Sequence, residues 1–239
     1  MGDPKFIRDY IFPLIKGIQK KDSVQAGELI GTGFLIGKDG FAITAAHVID
    51  QLIDGNNGDD DVILGLFADG DIWCAAYIES WEKHPSEDVG IIKFKIFKRE
   101  SVLKINDTPQ YATCEYHCWG YPHEVAKELS KLDENAQDRP DLIFTQGYIR
   151  RRISRDLFPT CIFRGTQFYE LSETVGGGNS GGPIIIKNSI GKTHWEVIGI
   201  YIGEKSGGDI SYAVRAEAFA NWTPKILGKT IKEESNSIS

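Results

Sequence analysis

The sequence predicts an all-β protein, on three observations. From Glu28 onward, apolar stretches of strand length alternate with clusters of Gly, Asp, Asn and Pro, as in successive strands joined by turns. Helical spacing appears in only two short stretches, and Pro13 interrupts the first of them. The chain has 239 residues, 41% hydrophobic and 26% charged, which suits one large or two small globular domains.

In chain order, residues 6–18 form the first apolar stretch and Lys20–Ser23 reads as a turn. Strands are expected over 28–36, 40–45, 62–67, 72–80 and 89–97. The acidic, Gly-rich stretch Asp54–Asp61 does not follow the ligand spacing of a calcium loop, so a solvated surface loop is expected there. Residues 98–112 link two halves of the chain. Strands resume at 114–119. Beyond His123, the residues Val125, Leu129 and Leu132 fall at helical spacing and predict a surface helix over 123–132, ending before Pro140. Further strands are expected over 142–150, 158–171, 183–188, 193–202 and 210–214, with a short helix starting near Arg215. The polar tail, 231–239, is expected to be disordered.

Composition narrows the function. A net charge of −7 argues against general nucleic-acid binding. No apolar run approaches the roughly 20 residues of a membrane span. The N-terminal ten residues lack the pattern of a secretory signal, and a cytoplasmic location is expected. Four cysteines are present, Cys74, Cys114, Cys118 and Cys161, and none flanks His47 or Ser180, which agrees with a reducing compartment. Cys114, His117, Cys118 and Cys161 suggest a metal set. On a regular strand, however, Cys114 and Cys118 would stand about 13 Å apart, too far to share one ion. Neither metal nor cofactor is expected.

The chemistry concentrates in Val175–Pro183, where one serine, Ser180, lies among five glycines and precedes the apolar run Ile184–Ile186. Glycines let such a run fold into a loop whose N–H groups converge on an anion. A serine there has its hydroxyl beside donors for a developing oxyanion, as acyl transfer requires. A plain Gly-rich turn before a strand is the alternative. A serine nucleophile also needs a base. His47 follows Thr44-Ala45-Ala46 at the end of an apolar strand, and Asp88 opens the apolar run Val89–Phe94. Taken singly, each also reads as an ordinary polar residue at a strand end.

Together, Thr44-Ala45-Ala46-His47, Asp88-Val89-Gly90-Ile91 and Gly178-Asn179-Ser180-Gly181-Gly182-Pro183 resemble the three signatures of chymotrypsin-like serine peptidases. The spacings of 41 and 92 residues between His47, Asp88 and Ser180 also fit. The likeness covers Gly31 to Val214. It is closest to the bacterial high-temperature-requirement peptidases and the glutamyl endopeptidases. The resemblance implies two six-stranded antiparallel Greek-key barrels with a short inserted helix and a short C-terminal helix. The first barrel (1–105) would carry His47 and Asp88, and the second (106–230) Ser180. It implies Ser180 as nucleophile, His47 as base, Asp88 as its orienting partner, and the N–H groups of Gly178 and Ser180 as oxyanion hole.

The same likeness places Thr174, Val175, Tyr201, Ile202 and Gly203 around the primary substrate pocket. Trypsin-like enzymes have an aspartate where this chain has Thr174, so cleavage after Arg or Lys is not supported. Glutamyl peptidases have a histidine where this chain has Tyr201, which weakens cleavage after Glu. A small or medium apolar residue is the default, unless Glu204 points inward. Asn179 stands where trypsin relatives have an aspartate that pairs with a newly cut N-terminus, so activation through that ion pair is not expected. The expected partner is a polypeptide substrate. Two alternatives stand beside the active peptidase. One is a latent peptidase that needs an activating protein partner, and the other is a peptide-binding module without catalysis.

Overall fold

The computed structural model describes residues 7–21, 23–55, 58, 60–69, 72–95, 99–125, 140–156, 163–189, 194–204 and 210–237. Its first half is a closed barrel of six antiparallel strands: β1 (Ile11–Gln19), β2 (Val24–Ile36), β3 (Phe41–Thr44), β4 (Asp61–Asp69), β5 (Ile72–Lys83) and β6 (Gly90–Phe94). The spatial order is β1-β2-β3-β6-β5-β4, and pairing of β1 with β4 closes the ring. Pro13 is accommodated in β1 because the β1–β4 ladder starts only at Leu14, so its missing N–H removes no bond on that side.

The second half holds β8 (Glu115–Gly120), β9 (Ile143–Ser154), β10 (Gln167–Leu171), β11 (Pro183–Ile186), β12 (Trp195–Glu204) and β13 (Ser211–Arg215). They run in the order β11-β8-β9-β10-β13-β12, and β11 pairs with β12 to close a second six-stranded barrel. The short strand β7 (Leu103–Ile105), inside the stretch expected to be a plain link, adds to β12 in parallel. The strand pattern accounts for the all-β class, and closure into the two barrels that the resemblance implied buries one face of each strand and leaves no long open edge.

Some elements depart from expectation. Residues 46–53 form helix α1 (Ala46–Ile53), which buries Ala46, Val48, Ile49 and Leu52. The strand expected over 158–171 is confined to Gln167–Leu171 among the described residues, and 157–162 lie outside them. Of the surface helix expected over 123–132, the described residues His123–Val125 form a 3-10 turn, and 126–139 lie outside the described residues. After a 3-10 turn at Ala216–Ala218, the tail expected to be disordered forms helix α2 (Ile231–Ser235). Composition misleads there because its polar groups are partnered. Thr230 and Glu233 make a capping box, buried Glu234 pairs with Lys229 at 2.6 Å, and Ser235 Oγ accepts from Ile105 N–H. Cys74, Cys114 and Cys118 are free thiols, and Cys161 lies outside the described residues. The alternation of β8 buries Cys118 while His117 faces an outer aromatic cluster with Trp119 and Phe144, so these two neighbours do not converge.

The core of the first barrel centres on Phe12, Phe67 and Phe94, whose ring centroids lie 4.4–5.2 Å apart. A polar clamp joins the barrels. Arg164 donates to the carbonyls of Glu87 (3.0 Å) and His84 (2.5 Å), and the Glu87 carboxylate accepts from the N–H groups of Thr166 and Gln167. Within that turn, His84 Nδ1 accepts from the N–H groups of Ser86 and Glu87, so the imidazole must be neutral. Burial, and then the Arg164 charge, hold its pKa below 6.5.

Phe12→Ala should lower unfolding free energy by roughly 3–5 kcal/mol in denaturant titrations, since a large cavity is left in a closed barrel. A second expectation concerns pH. With a depressed folded pKa, the His84 contribution is full above the ordinary 6.5 and is lost progressively as pH falls below it. Burial raises the Glu87 pKa above 4.5, so its share has the opposite sign, present below that value and lost above it. The difference in melting temperature between wild type and His84→Gln, followed from pH 8 down to about 5, isolates the histidine term and should shrink on acidification.

Candidate active site

The site forms where the two barrels meet. Strand β3 ends at Thr44, and α1 starts two residues later, so His47 lies in the first turn of the helix. The N-cap residue, Ala45, has no side chain to bond the free N–H groups of that turn. Asp88 supplies the acceptor instead. Its Oδ1 accepts from His47 N–H at 2.9 Å, and its Oδ2 lies 2.7 Å from His47 Nδ1. The carboxylate is fully buried and the imidazole is 11% exposed. One acid therefore holds both the backbone and the ring of the histidine, and its negative charge sits at a helix N-terminus, where it is favoured. With Nδ1–H directed at Asp88, Nε2 is left to face outward as an acceptor.

Ser180 comes to the same junction through backbone contacts. Thr32 N–H donates to the Ser180 carbonyl at 2.8 Å, and Gly181 N–H donates to the Tyr201 carbonyl. Gly181 has φ +92°, and a Cβ there would lie 2.0 Å from the Thr32 carbonyl oxygen and 3.1 Å from Ala45 N. Only glycine lets the serine loop press against the segment that leads to His47. The Ser180 hydroxyl is not bonded to His47 in this structure; it donates to the Ile202 carbonyl at 3.2 Å.

Thr32, read in the sequence only as part of a strand, is the hub of this junction. Its hydroxyl accepts from Tyr121 N–H at 2.9 Å and donates to the Gly178 carbonyl at 3.0 Å. Its own carbonyl accepts from Thr44 Oγ1 at 2.7 Å. Two further loop carbonyls are also tied down: Gly177 C=O accepts from His123 N–H, and Asn179 C=O from Gly182 N–H. A trans peptide directs its N–H opposite to its C=O. The N–H groups of Gly178 and Ser180 therefore point opposite to these held carbonyls, and no acceptor among the described residues takes either.

The residues expected around a primary pocket are placed unevenly. Thr174 is exposed, while Val175, Tyr201 and Ile202 have buried side chains. Gly203 faces Phe163, whose Cζ would lie 2.4 Å from a Cβ at that position. Phe163 also stands 5.4 Å, centroid to centroid, from the His47 ring, a neighbour that strand patterning did not reveal. Glu204 points inward and contacts the 175–176 backbone. Among the described residues no cluster of three or more His, Cys, Asp or Glu side chains is arranged to hold a metal ion, and no helix is long and apolar enough to cross a membrane.

Known proteins share the family and the fold. Residues 31–200 match the family model of the trypsin-like peptidase domain. Among curated proteins, no relative is similar enough in sequence to count as a match. Several solved structures share the fold at low identity. The active form of the Rv3671c protease from M. tuberculosis superposes with a TM-score of 0.59 at 20% identity, over 94% of this chain and 83% of that one. The MamO protease domain from Magnetospirillum magneticum gives a TM-score of 0.60 at 12% identity, over 89% and 94% of the two chains. The HtrA-type protease AlgW, solved with a tripeptide, gives 0.56 at 18% identity, over 88% of this chain and 57% of that one. The family match spans most of the sequence, including His47, Asp88 and Ser180, and this chain belongs to the trypsin-like peptidase family.

Proposed function

We propose that the protein is a serine endopeptidase that cleaves polypeptides through an acyl-enzyme. The grip of Asp88 on both the ring and the backbone N–H of His47, beside the loop that bears Ser180, carries this reading. Ser180 would first turn about χ1 from the Ile202 carbonyl toward His47, a move between staggered rotamers. Its Oγ then attacks the substrate carbonyl carbon while the hydroxyl proton passes to His47 Nε2. Asp88 accepts from Nδ1–H and stabilises the imidazolium. The tetrahedral oxyanion lies between the N–H groups of Gly178 and Ser180, each such donor being worth about 3–4 kcal/mol in comparable sites. Collapse breaks the peptide bond, and the leaving amine takes the proton from His47. Water repeats the sequence against the ester and regenerates Ser180.

Two features support a loop organised in the free chain. The carbonyls of Gly177 and Asn179 are already held, and Asn179 needs no cationic partner. A second reading, the latent peptidase, draws on the Ser180 hydroxyl being turned onto Ile202 O. Substrate would meet the exposed Thr174 and the backbone at Ile202–Gly203, with Phe163 beside His47.

A fluorophosphonate probe should label the wild-type protein at one residue and leave Ser180→Ala unlabelled. Labelling that needs an added protein partner would replace the constitutive reading by the latent one, and a folded protein that is never labelled would leave a binding module. Asp88→Asn should slow labelling by roughly 10³–10⁴-fold, because the wrong imidazole tautomer is favoured. Thr32→Val strands Tyr121 N–H and Gly178 C=O in a buried site, at about 1–3 kcal/mol each. It should lower both melting temperature and labelling rate, whereas Thr32→Ser keeps the hydroxyl and should stay near wild type.

A further inference from the structure

Glu204 ends β12, just past an irregularity in its pairing with β13. Tyr201 faces Ala213 and Gly203 faces Tyr212, so one extra residue is inserted at position 202. Such a bulge reverses the side-chain alternation and brings residues 201 and 204 to one face. The contacts agree. Tyr201 hydroxyl donates to Glu204 Oε1 at 3.0 Å, and the N–H groups of Val175 and Gly176 donate to the same oxygen at 2.9 and 2.6 Å. Gly176 has φ +81°, and two successive N–H groups converging next to a left-handed glycine form an anion nest. The chain fills that nest with its own carboxylate. None of the described lysines, arginines or histidines forms an ion pair with Glu204.

The carbonyl side of the same two residues is held as well. Asn179 Nδ2 donates to the carbonyls of Val175 and Gly176. Asn179 is fully buried, and its own backbone carbonyl shares a peptide unit with the N–H of Ser180. A continuous path therefore runs from Glu204 through the 175–176 peptides and the Asn179 amide to the Ser180 backbone. A carboxylate held by three neutral donors is well satisfied without a counter-charge, since charge-assisted bonds are roughly twice as strong as neutral ones.

We infer that Glu204 is a positioning residue for the peptidase reaction, an internal anion that locks the nucleophile loop in the shape that orients the Ser180 and Gly178 N–H groups. The inference rests on the peptidase reading above and assigns that loop a latch supplied by the chain itself, with no new N-terminus needed. Glu204 touches no reacting atom. Its effect falls on the acylation rate and not on substrate affinity.

The test compares wild type, Glu204→Ala and Glu204→Gln by fluorophosphonate labelling rate, by hydrogen exchange of the 175–176 amides, and by melting temperature. The Ala variant should fold, label roughly 10- to 100-fold more slowly, as expected for losing bonds to a charged acceptor, and exchange faster at 175–176. Added formate, a carboxylate small enough for the emptied nest, should restore part of the labelling rate. A purely structural defect would not respond to formate. Glu204→Gln keeps an acceptor oxygen without the charge and should be intermediate; it carries the comparison if the Ala variant does not fold. Wild-type labelling rate in the variants, or slower labelling with unchanged exchange at 175–176 and no response to formate, overturns the inference. If wild type itself is never labelled, the peptidase reading falls, and unchanged exchange in Glu204→Ala would then remove the latch as well.

Discussion

The buried carboxylate of Asp88 is the constraint on which the rest of the site depends. A fully desolvated acid is costly unless its oxygens are paired. Here both are used, one on the backbone N–H of His47 and one on its ring. The first contact fixes where α1 begins, and the second fixes which way the imidazole faces. Local helix capping and ring orientation are thus the same interaction, so neither can drift without the other. The turn that delivers Asp88 is braced in the same manner, with His84 Nδ1 accepting two N–H groups and Arg164 crossing from the other barrel.

The junction between barrels carries a polar joint alongside the apolar cluster that both barrels share. Thr32, buried in β2, bonds Tyr121, Gly178, Ser180 and Thr44 through its hydroxyl and its backbone. The bonds to Tyr121, Gly178 and Ser180 cross to the second barrel, and a shifted docking would leave those groups buried and unpaired, which costs more than the bonds themselves yield. Docking is therefore specific in register as well as favourable. The chemistry in the proposed reaction resides largely in main-chain groups. The carbonyls of residues 177 to 180 are all hydrogen-bonded, and in that reaction the N–H groups of Gly178 and Ser180 would receive the oxyanion. Such preorganised donors need no reorganisation as charge develops.

Much of the double barrel was legible in the chain because strand period, turn residues and three short motifs all pointed the same way. Where reading failed, a longer-range partner had overruled composition. The tail from 231 looked disordered by polarity, yet Glu234 and Ser235 are buried against the first barrel and β7. Helix α1 was hidden because its apolar residues sit within an apolar run that strand patterning also accommodates. Phe163 beside His47 carried no signal, since nothing local distinguishes a phenylalanine that meets a histidine 116 positions away.

By itself the sequence determined which chemical groups exist and in what order: a histidine after small residues, an acid at a strand start, a serine among glycines whose missing side chains permit a tight loop. Those are local properties, set by residue type and neighbours. Only the tertiary structure decided that Asp88 caps the helix of His47, that Thr32 anchors the serine loop, and that Glu204 turns inward across a bulge to fill the 175–176 nest. The physical reason is that hydrogen-bond partners of buried polar groups are chosen in space, after the strands have closed, and spacing along the chain does not encode them.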